Sequence, residues 1–380
     1  MYLPDKFLSE LQKLEKLATG PTKVLITGGS GFLGQHLTVE FKRLGMNVAF
    51  TFVNCSELKV TGCGRYYMNL QDEVSIRNVV KEFKPNAVVH CAEARGPHVQ
   101  DSDSAHHANV KGTMLLIEAL IEERVPFLFI FISTDEVYKG ATDCVSAQPC
   151  GESEELNVID FMSSTRRPHV LHKMELEKYV SSHVRNHIIF RASNIYGYPC
   201  LEESSLQSTS KFSKIVASLK AGIQIELPNH LWRSPCLIDD AVTIITRAFI
   251  LFIMSPEDGE VSYPRIYNLT SGHDLTTEYE MGKGMCRALG LSATLIVAKE
   301  APVPDLEEPL HASEVNMHTN GSISRHARVA EEEIPTVVCL SNDNIREHLE
   351  IEPRTLEEGL RRTRFMIRAG DCEWLGSKIE

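Results

Sequence analysis

Two neighbouring carboxylates, Asp135 and Glu136, follow Ser133 and Thr134 at the end of an apolar run that begins at Phe127. Such a pair can work as acid and base in turn when its surroundings hold the two groups in different protonation states. It can equally be a solvated strand end or the cap of the next helix. Further on, His169 and Lys173 stand four positions apart, a spacing that puts both on one helical face. An imidazole there can accept a proton beside an ammonium charge. Upstream, Gly28, Gly31 and Gly34 recur at three-residue intervals in Lys23-Val-Leu-Ile-Thr-Gly-Gly-Ser-Gly-Phe-Leu-Gly. Glycines between a strand and a helix let the main chain approach a diphosphate closely. The N–H groups of Phe32, Leu33 and Gly34, at the helix N-terminus, would stabilise its charge.

These groups need a frame, and short apolar runs alternating with helical stretches supply one. Residues 24–27 precede a helical stretch at 33–44, closed by Gly45, and then the run 47–53. Residues 74–83 precede 87–92, and 110–122 precede 127–133. Strands that are apolar throughout, joined by helices, predict an α/β fold with a doubly wound parallel sheet covered on both faces. Residues 187–191 and 266–269 extend it, and 337–340 and 353–368 restore order near the end. The run that ends before Asn54 carries neither an acid for a ribose 2′-hydroxyl nor an arginine for a 2′-phosphate, so NAD and NADP both stay open. Asn54 is a ribose-binding candidate or a turn residue.

Composition narrows the function classes. Acidic residues outnumber basic ones by 51 to 39 with no Lys/Arg-rich run, which argues against a nucleic-acid partner. Ten cysteines without CxxC spacing form neither a disulfide framework nor a metal site, and read as reduced thiols in the cytoplasm. No apolar core of a signal peptide precedes Gly20, and the most apolar stretch, 244–254, is short and interrupted by Arg247, so no membrane segment is expected. The sequons at Asn268 and Asn320 are then chance matches. Residues 5–18 place Phe7, Leu11, Leu14 and Leu17 on one face of an amphipathic helix. Residues 140–167 and 301–333 lack periodicity and read as long loops.

In order and spacing, these pieces resemble the extended short-chain dehydrogenase/reductase family, NAD-dependent epimerases and dehydratases, and within it the dTDP-glucose 4,6-dehydratases above all. The resemblance runs from about Lys23 to Arg368. It rests on the glycine loop, Asn69-Leu-Gln-Asp72, His90-Cys-Ala-Glu-Ala94, Asn109-Val-Lys-Gly-Thr113, Ser133-Thr-Asp-Glu-Val-Tyr138, Arg191-Ala-Ser-Asn-Ile-Tyr-Gly197 and Arg233-Ser-Pro-Cys-Leu-Ile-Asp-Asp240. It implies NAD as cofactor, with Gly28, Gly31, Phe32, Leu33, Gly34, Asn54, Asn69, Leu70, Ala92 and Lys173 around it. A nucleotide sugar would be held by Asn194 and Arg233. Thr134 would bond the sugar's C4 oxygen, Asp135 would be the acid and Glu136 the base. Oxidation at C4 acidifies the C5 proton, water leaves across C5 and C6, and hydride returns to C6. The resemblance further implies a dinucleotide-binding domain (21–195 plus about 240–272), a nucleotide-sugar domain (196–239 plus 273–380) and a homodimer built on the helices of Val110 and Lys173.

One position departs from the pattern. The family's helix carries Tyr four residues before Lys; here Lys173 is in place and His169 occupies the tyrosine position. Tyr179, six positions past the lysine, points elsewhere on the helix, and His172 is expected at the helix surface. Near Lys173 and a nicotinium ring an imidazole favours its neutral, proton-accepting form, yet it is shorter than a phenol, and misplacement of a base is costly. Two expectations follow: a working or slow nucleotide-sugar dehydratase or epimerase, or a dinucleotide-binding regulatory or scaffold subunit without turnover.

Overall fold

The computed structural model describes residues 22–54, 58–94, 102–138, 147–156, 167–200, 211–255, 263–272, 274–300 and 336–368. The helix expected at 5–18, the loop at 301–333 and Asn320 lie outside these residues. The main sheet contains β1 (Lys23–Thr27), β2 (Asn47–Phe52), β3 (Gly64–Tyr67), β4 (Ala87–His90), β5 (Leu128–Thr134), β6 (His187–Ala192) and β11 (Ile266–Leu269). Their order is β11-β6-β5-β4-β1-β2-β3, with every neighbouring pair parallel. Winding runs outward from β1 to β3, then restarts at β4 on the other side of β1. That reversal opens a crevice at the carboxyl ends of β1 and β4, where doubly wound sheets take their ligands.

Both faces are covered, as fully apolar strands require. On one face lie α1 (Phe32–Arg43) and α7 (Ile238–Met254), joined by Phe41 and Phe249 edge to face at 4.9 Å between ring centroids. On the other lie α2 (Glu73–Phe83), α4 (Gly112–Glu122) and α5 (Arg167–His183), which bury Ile76, Leu116 and Val180 against Leu25, Val88 and Phe129. Helix α3 (Ser102–His106) reaches α4 through a π-helical turn, His107–Lys111, that the sequence pattern did not foretell.

A second core gathers Tyr196, Phe212, Met281, Met285 and Leu360. It is built from β7 (Ile195–Tyr196), α6 (Lys211–Lys220), β8 (Ile225–Pro228), α8 (Glu278–Leu289), β12 (Ile296–Lys299) and α10 (Leu356–Arg368). Strands β9 (Leu231–Arg233) and β13 (Thr336–Val338) pair in parallel, as do β7 and β10 (Cys236–Leu237), and α9 (Asp343–Leu349) follows β13. The described part of the polar stretch 140–167 is pinned: Cys150 bonds the backbone of Cys339 and Ser341, and Glu152 accepts from the Asn268 amide. Asn268 itself is fully buried, its side chain donating to the Cys150 and Ser341 carbonyls, so this sequon is closed to modification in the folded chain. Among the described residues no helix is long and apolar enough to cross a membrane.

Candidate active site

The glycine loop leaves β1 at Thr27 and enters α1 after Gly31. Gly28 has φ 64°, and a Cβ there would stand 2.7 Å from the Ala92 Cα, so only glycine lets β1 turn this close to the end of β4. A Cβ at Gly34 would fall 2.3 Å from the Gly28 carbonyl oxygen. No side chain caps α1. Its first N–H groups, at Phe32, Leu33 and Gly34, therefore form a cradle of the kind that fits a diphosphate.

Beneath the loop, His90 ties three elements together. Its Nδ1 lies 2.9 Å from Thr27 Oγ1 and its Nε2 2.9 Å from Thr113 Oγ1, while Thr113 donates to the Asn109 carbonyl. With the Thr113 proton so used, Nε2–H must donate and Nδ1 must accept from Thr27, whose oxygen also receives the Ala92 N–H. Burial drives the His90 imidazole down to about 3, and Lys173 pushes the same way. Cys91 beside it is an inert thiol, raised by burial to about 12.

Around the rim, Asn54 is exposed at the end of β2. Asn69 turns the chain after β3, accepting from the Gln71 amide, and Leu70 is buried under Gly112. Asn194 is exposed beyond β6, its carbonyl accepting from Cys236.

The acid pair is neither solvated nor isolated. Thr134 ends β5 and caps a single 3-10 turn, Asp135–Val137, accepting the Glu136 N–H. Asp135 and Glu136 face Arg233, whose Nε is 3.6 Å from Asp135 Oδ2 and whose Nη2 is 3.7 Å from Glu136 Oε1. All three side chains are largely buried. The arginine expected to hold the nucleotide sugar thus braces the two carboxylates.

Helix α5 is fastened to this strand end. Lys173 Nζ donates to the Ile132 carbonyl at 2.9 Å and lies over the Phe131 ring. One turn later Glu177 accepts from Ser133 and from Arg191 of β6. Lys173 and His169 therefore sit at the carboxyl edge between β4 and β5. Between them stands a residue without an expected role: Glu93, just past β4, lies 2.7 Å from His169 Nδ1 through Oε1 and 3.5 Å from Lys173 Nζ through Oε2. The imidazole, expected among cations alone, has a carboxylate partner. A charged residue among small ones at the end of a buried strand was the available signal for it.

His172 is not at the helix surface as expected. It is buried, edge-on to His106 at 5.2 Å, and burial, then His106, lower its basicity. The chain of α3 covers that side of α5, which a helical pattern alone cannot reveal. Tyr179 points away from the site, its hydroxyl 3.4 Å from Glu118. A small cleft is lined by His90, Ala92, Glu93, Asn109, His169 and Lys173, among others. Among the described residues no cluster could hold a metal ion.

The sequence profile of the NAD dependent epimerase/dehydratase family matches residues 24–269. The chain belongs to that family. Methionine adenosyltransferase 2 subunit beta of Xenopus tropicalis is 26% identical over 303 residues, covering 77% of each chain. The dTDP-D-glucose 4,6-dehydratase of Dictyostelium discoideum is 30% identical over 278 residues, covering 67% of this chain and 59% of that one. Among solved structures, Thermus thermophilus UDP-glucose 4-epimerase in complex with NAD superposes with a TM-score of 0.66 at 19% identity, over 91% of this chain and 99% of that one. This fold sets the glycine loop and the acid pair at the carboxyl ends of β1 and β5, with Lys173 of α5 docked on β5.

Proposed function

We propose that the chain is an NAD-dependent nucleotide-sugar 4,6-dehydratase in which His169 stands in for the family's tyrosine. The observation that carries this reading is the convergence of two sets of groups on one strand end. Lys173 docks on Ile132, two residues before Thr134, with His169 on the same helix and the acid pair immediately beyond. Binding alone requires no buried acid pair, and burying one is costly.

The residues divide the work as follows. The uncapped start of α1 would hold the diphosphate of NAD, which would supply reversible hydride acceptance. NADP fits the same cradle, since nothing at Asn54 selects between the two. Thr134 bonds the C4 oxygen, His169 takes the hydroxyl proton, Glu136 removes the C5 proton, and Asp135 protonates the departing C6 hydroxyl. For that last step Asp135 must keep a proton, which a guanidinium at 3.6 Å opposes. The dehydratase reading therefore requires Arg233 to move to the nucleotide's diphosphate when the substrate enters.

A second reading is a cofactor-binding subunit that regulates a partner protein without turnover. It is favoured by the similarity to methionine adenosyltransferase 2 subunit beta together with the lost tyrosine. Purified protein mixed with NAD and dTDP-glucose or UDP-glucose separates the two. The dehydratase yields a 4-keto-6-deoxy sugar nucleotide. Calorimetric NAD binding without any such product would overturn catalysis in favour of the subunit.

A further inference from the structure

We propose that Glu93 is a positioning residue that holds His169 in the tautomer with the proton on Nδ1, leaving Nε2 bare as the proton acceptor. The inference deepens the dehydratase reading and rests on it for its catalytic meaning, but its structural content stands apart. An imidazole nitrogen 2.7 Å from a carboxylate oxygen is a donor, so Nδ1 must carry hydrogen, and in the neutral ring Nε2 is the remaining lone pair. Glu93 can hold this geometry because the backbone of the next residue, Ala94, is clamped. Asn109 receives the Ala94 N–H at 2.7 Å and donates to the Ala94 carbonyl at 3.0 Å. Asn109 lies in the π-helical turn, a feature often found at functional sites. The second Glu93 oxygen faces Lys173 at 3.5 Å, which sets the carboxylate's rotation. Carboxylate, imidazole and ammonium thus form one chain at the edge of the cleft.

In the reaction His169 Nε2 would take the proton of the sugar C4–OH as C4 becomes a carbonyl, with NAD at the start of α1 as the hydride acceptor. The imidazolium so formed is balanced by Glu93. Orienting a base and stabilising its charged form is how a buried carboxylate serves a catalytic histidine in other folds. Here it would compensate for the shorter reach of imidazole with a fixed orientation.

The test reads the ring directly. Full-length protein labelled with ¹⁵N-histidine is recorded at about pH 8, where unpaired imidazoles are neutral, with the His169 signal assigned by its loss in His169→Gln. The expected spectrum shows a protonated Nδ1 and a bare Nε2. Glu93→Ala should abolish that preference, and Glu93→Asp should retain it at least in part. If Nε2 carries the proton, if both nitrogens are protonated, or if Glu93→Ala leaves the spectrum unchanged, the proposal is wrong. In turnover, Glu93→Ala should lower kcat by about 10²-fold with little change in the KM for nucleotide sugar, the scale of one general base. Active protein with an unaffected kcat would also overturn it. The expected tautomer in a protein that makes no product would instead refute the dehydratase reading and leave the Glu93 assignment standing.

Discussion

Acidification should unlock the site from beneath, through His90. The imidazole is neutral in the folded chain, lowered by burial from an ordinary 6.5 to about 3. A histidine depressed on folding contributes stability that is complete above the unfolded value and is lost as pH falls toward the folded one, because the unfolded chain then binds the extra proton. The loss attributable to His90 is about 2 kcal/mol at pH ~5 and about 3 kcal/mol at pH ~4. His36, buried on α1 and lowered to about 4, adds a loss of the same sign. Structurally the cause is plain. A proton on Nδ1 would point a donor at Thr27, which now donates to it, and would strain the Thr27 oxygen that receives the Ala92 N–H. Urea unfolding midpoints measured between pH ~7.5 and pH ~5 on the wild type and His90→Asn test this. The variant is expected to be weaker at neutral pH for want of two hydrogen bonds, but its pH slope should be shallower by about 2 kcal/mol over that range. Parallel slopes within about 0.5 kcal/mol would refute the assignment of the titration to His90.

Arg191 and Glu177 form a nearly buried pair at 2.9 Å, with Tyr138 and Ser133 closing the network under the acid pair. Arg191→Met should cost about 3–5 kcal/mol by denaturation, and adding Glu177→Leu should recover most of it, because the penalty is the stranded carboxylate. A single variant costing less than about 1 kcal/mol would show that water reaches Glu177. Gly34→Ala must displace the Gly28 carbonyl, 2.3 Å from the new Cβ, and should weaken NAD binding at least about tenfold by calorimetry. Unchanged affinity would place the diphosphate elsewhere.

The sheet was legible because its strands are apolar on both faces and its loop glycines are forced by contact: residues 24–27, 47–53 and 87–92 mark β1, β2 and β4. The acid pair and Lys173 were singled out because their order along the chain follows a known pattern. What stayed hidden depends on contacts between distant segments. Nothing local to Glu93 shows that α5 returns to it, and nothing local to Arg233 shows that it turns inward to Asp135. The π-helical turn is likewise invisible to helical spacing, and Asn109 within it bonds the distant Ala94 backbone. His172 failed for the same reason: helical spacing locates a face but not what covers it.

The two hidden pairings share one logic. Each cation that a ligand would use is already held by a carboxylate from another element: Lys173 by Glu93, and Arg233 by Asp135 with Glu136. Charges this deeply buried are stable only when matched. Under the dehydratase reading, a diphosphate arriving at Arg233 offers two negative charges in exchange for the acid pair, so the guanidinium can leave without being stranded. The carboxylates it leaves behind are then adjacent, buried and uncompensated, and like charges so placed cannot both stay ionised. One must take up a proton, which is the state that an acid and a base sharing a site require. On that reading, substrate binding and arming of the acid would be a single electrostatic exchange, and the acid pair resting on Arg233 would stay inert until a nucleotide diphosphate claimed that arginine.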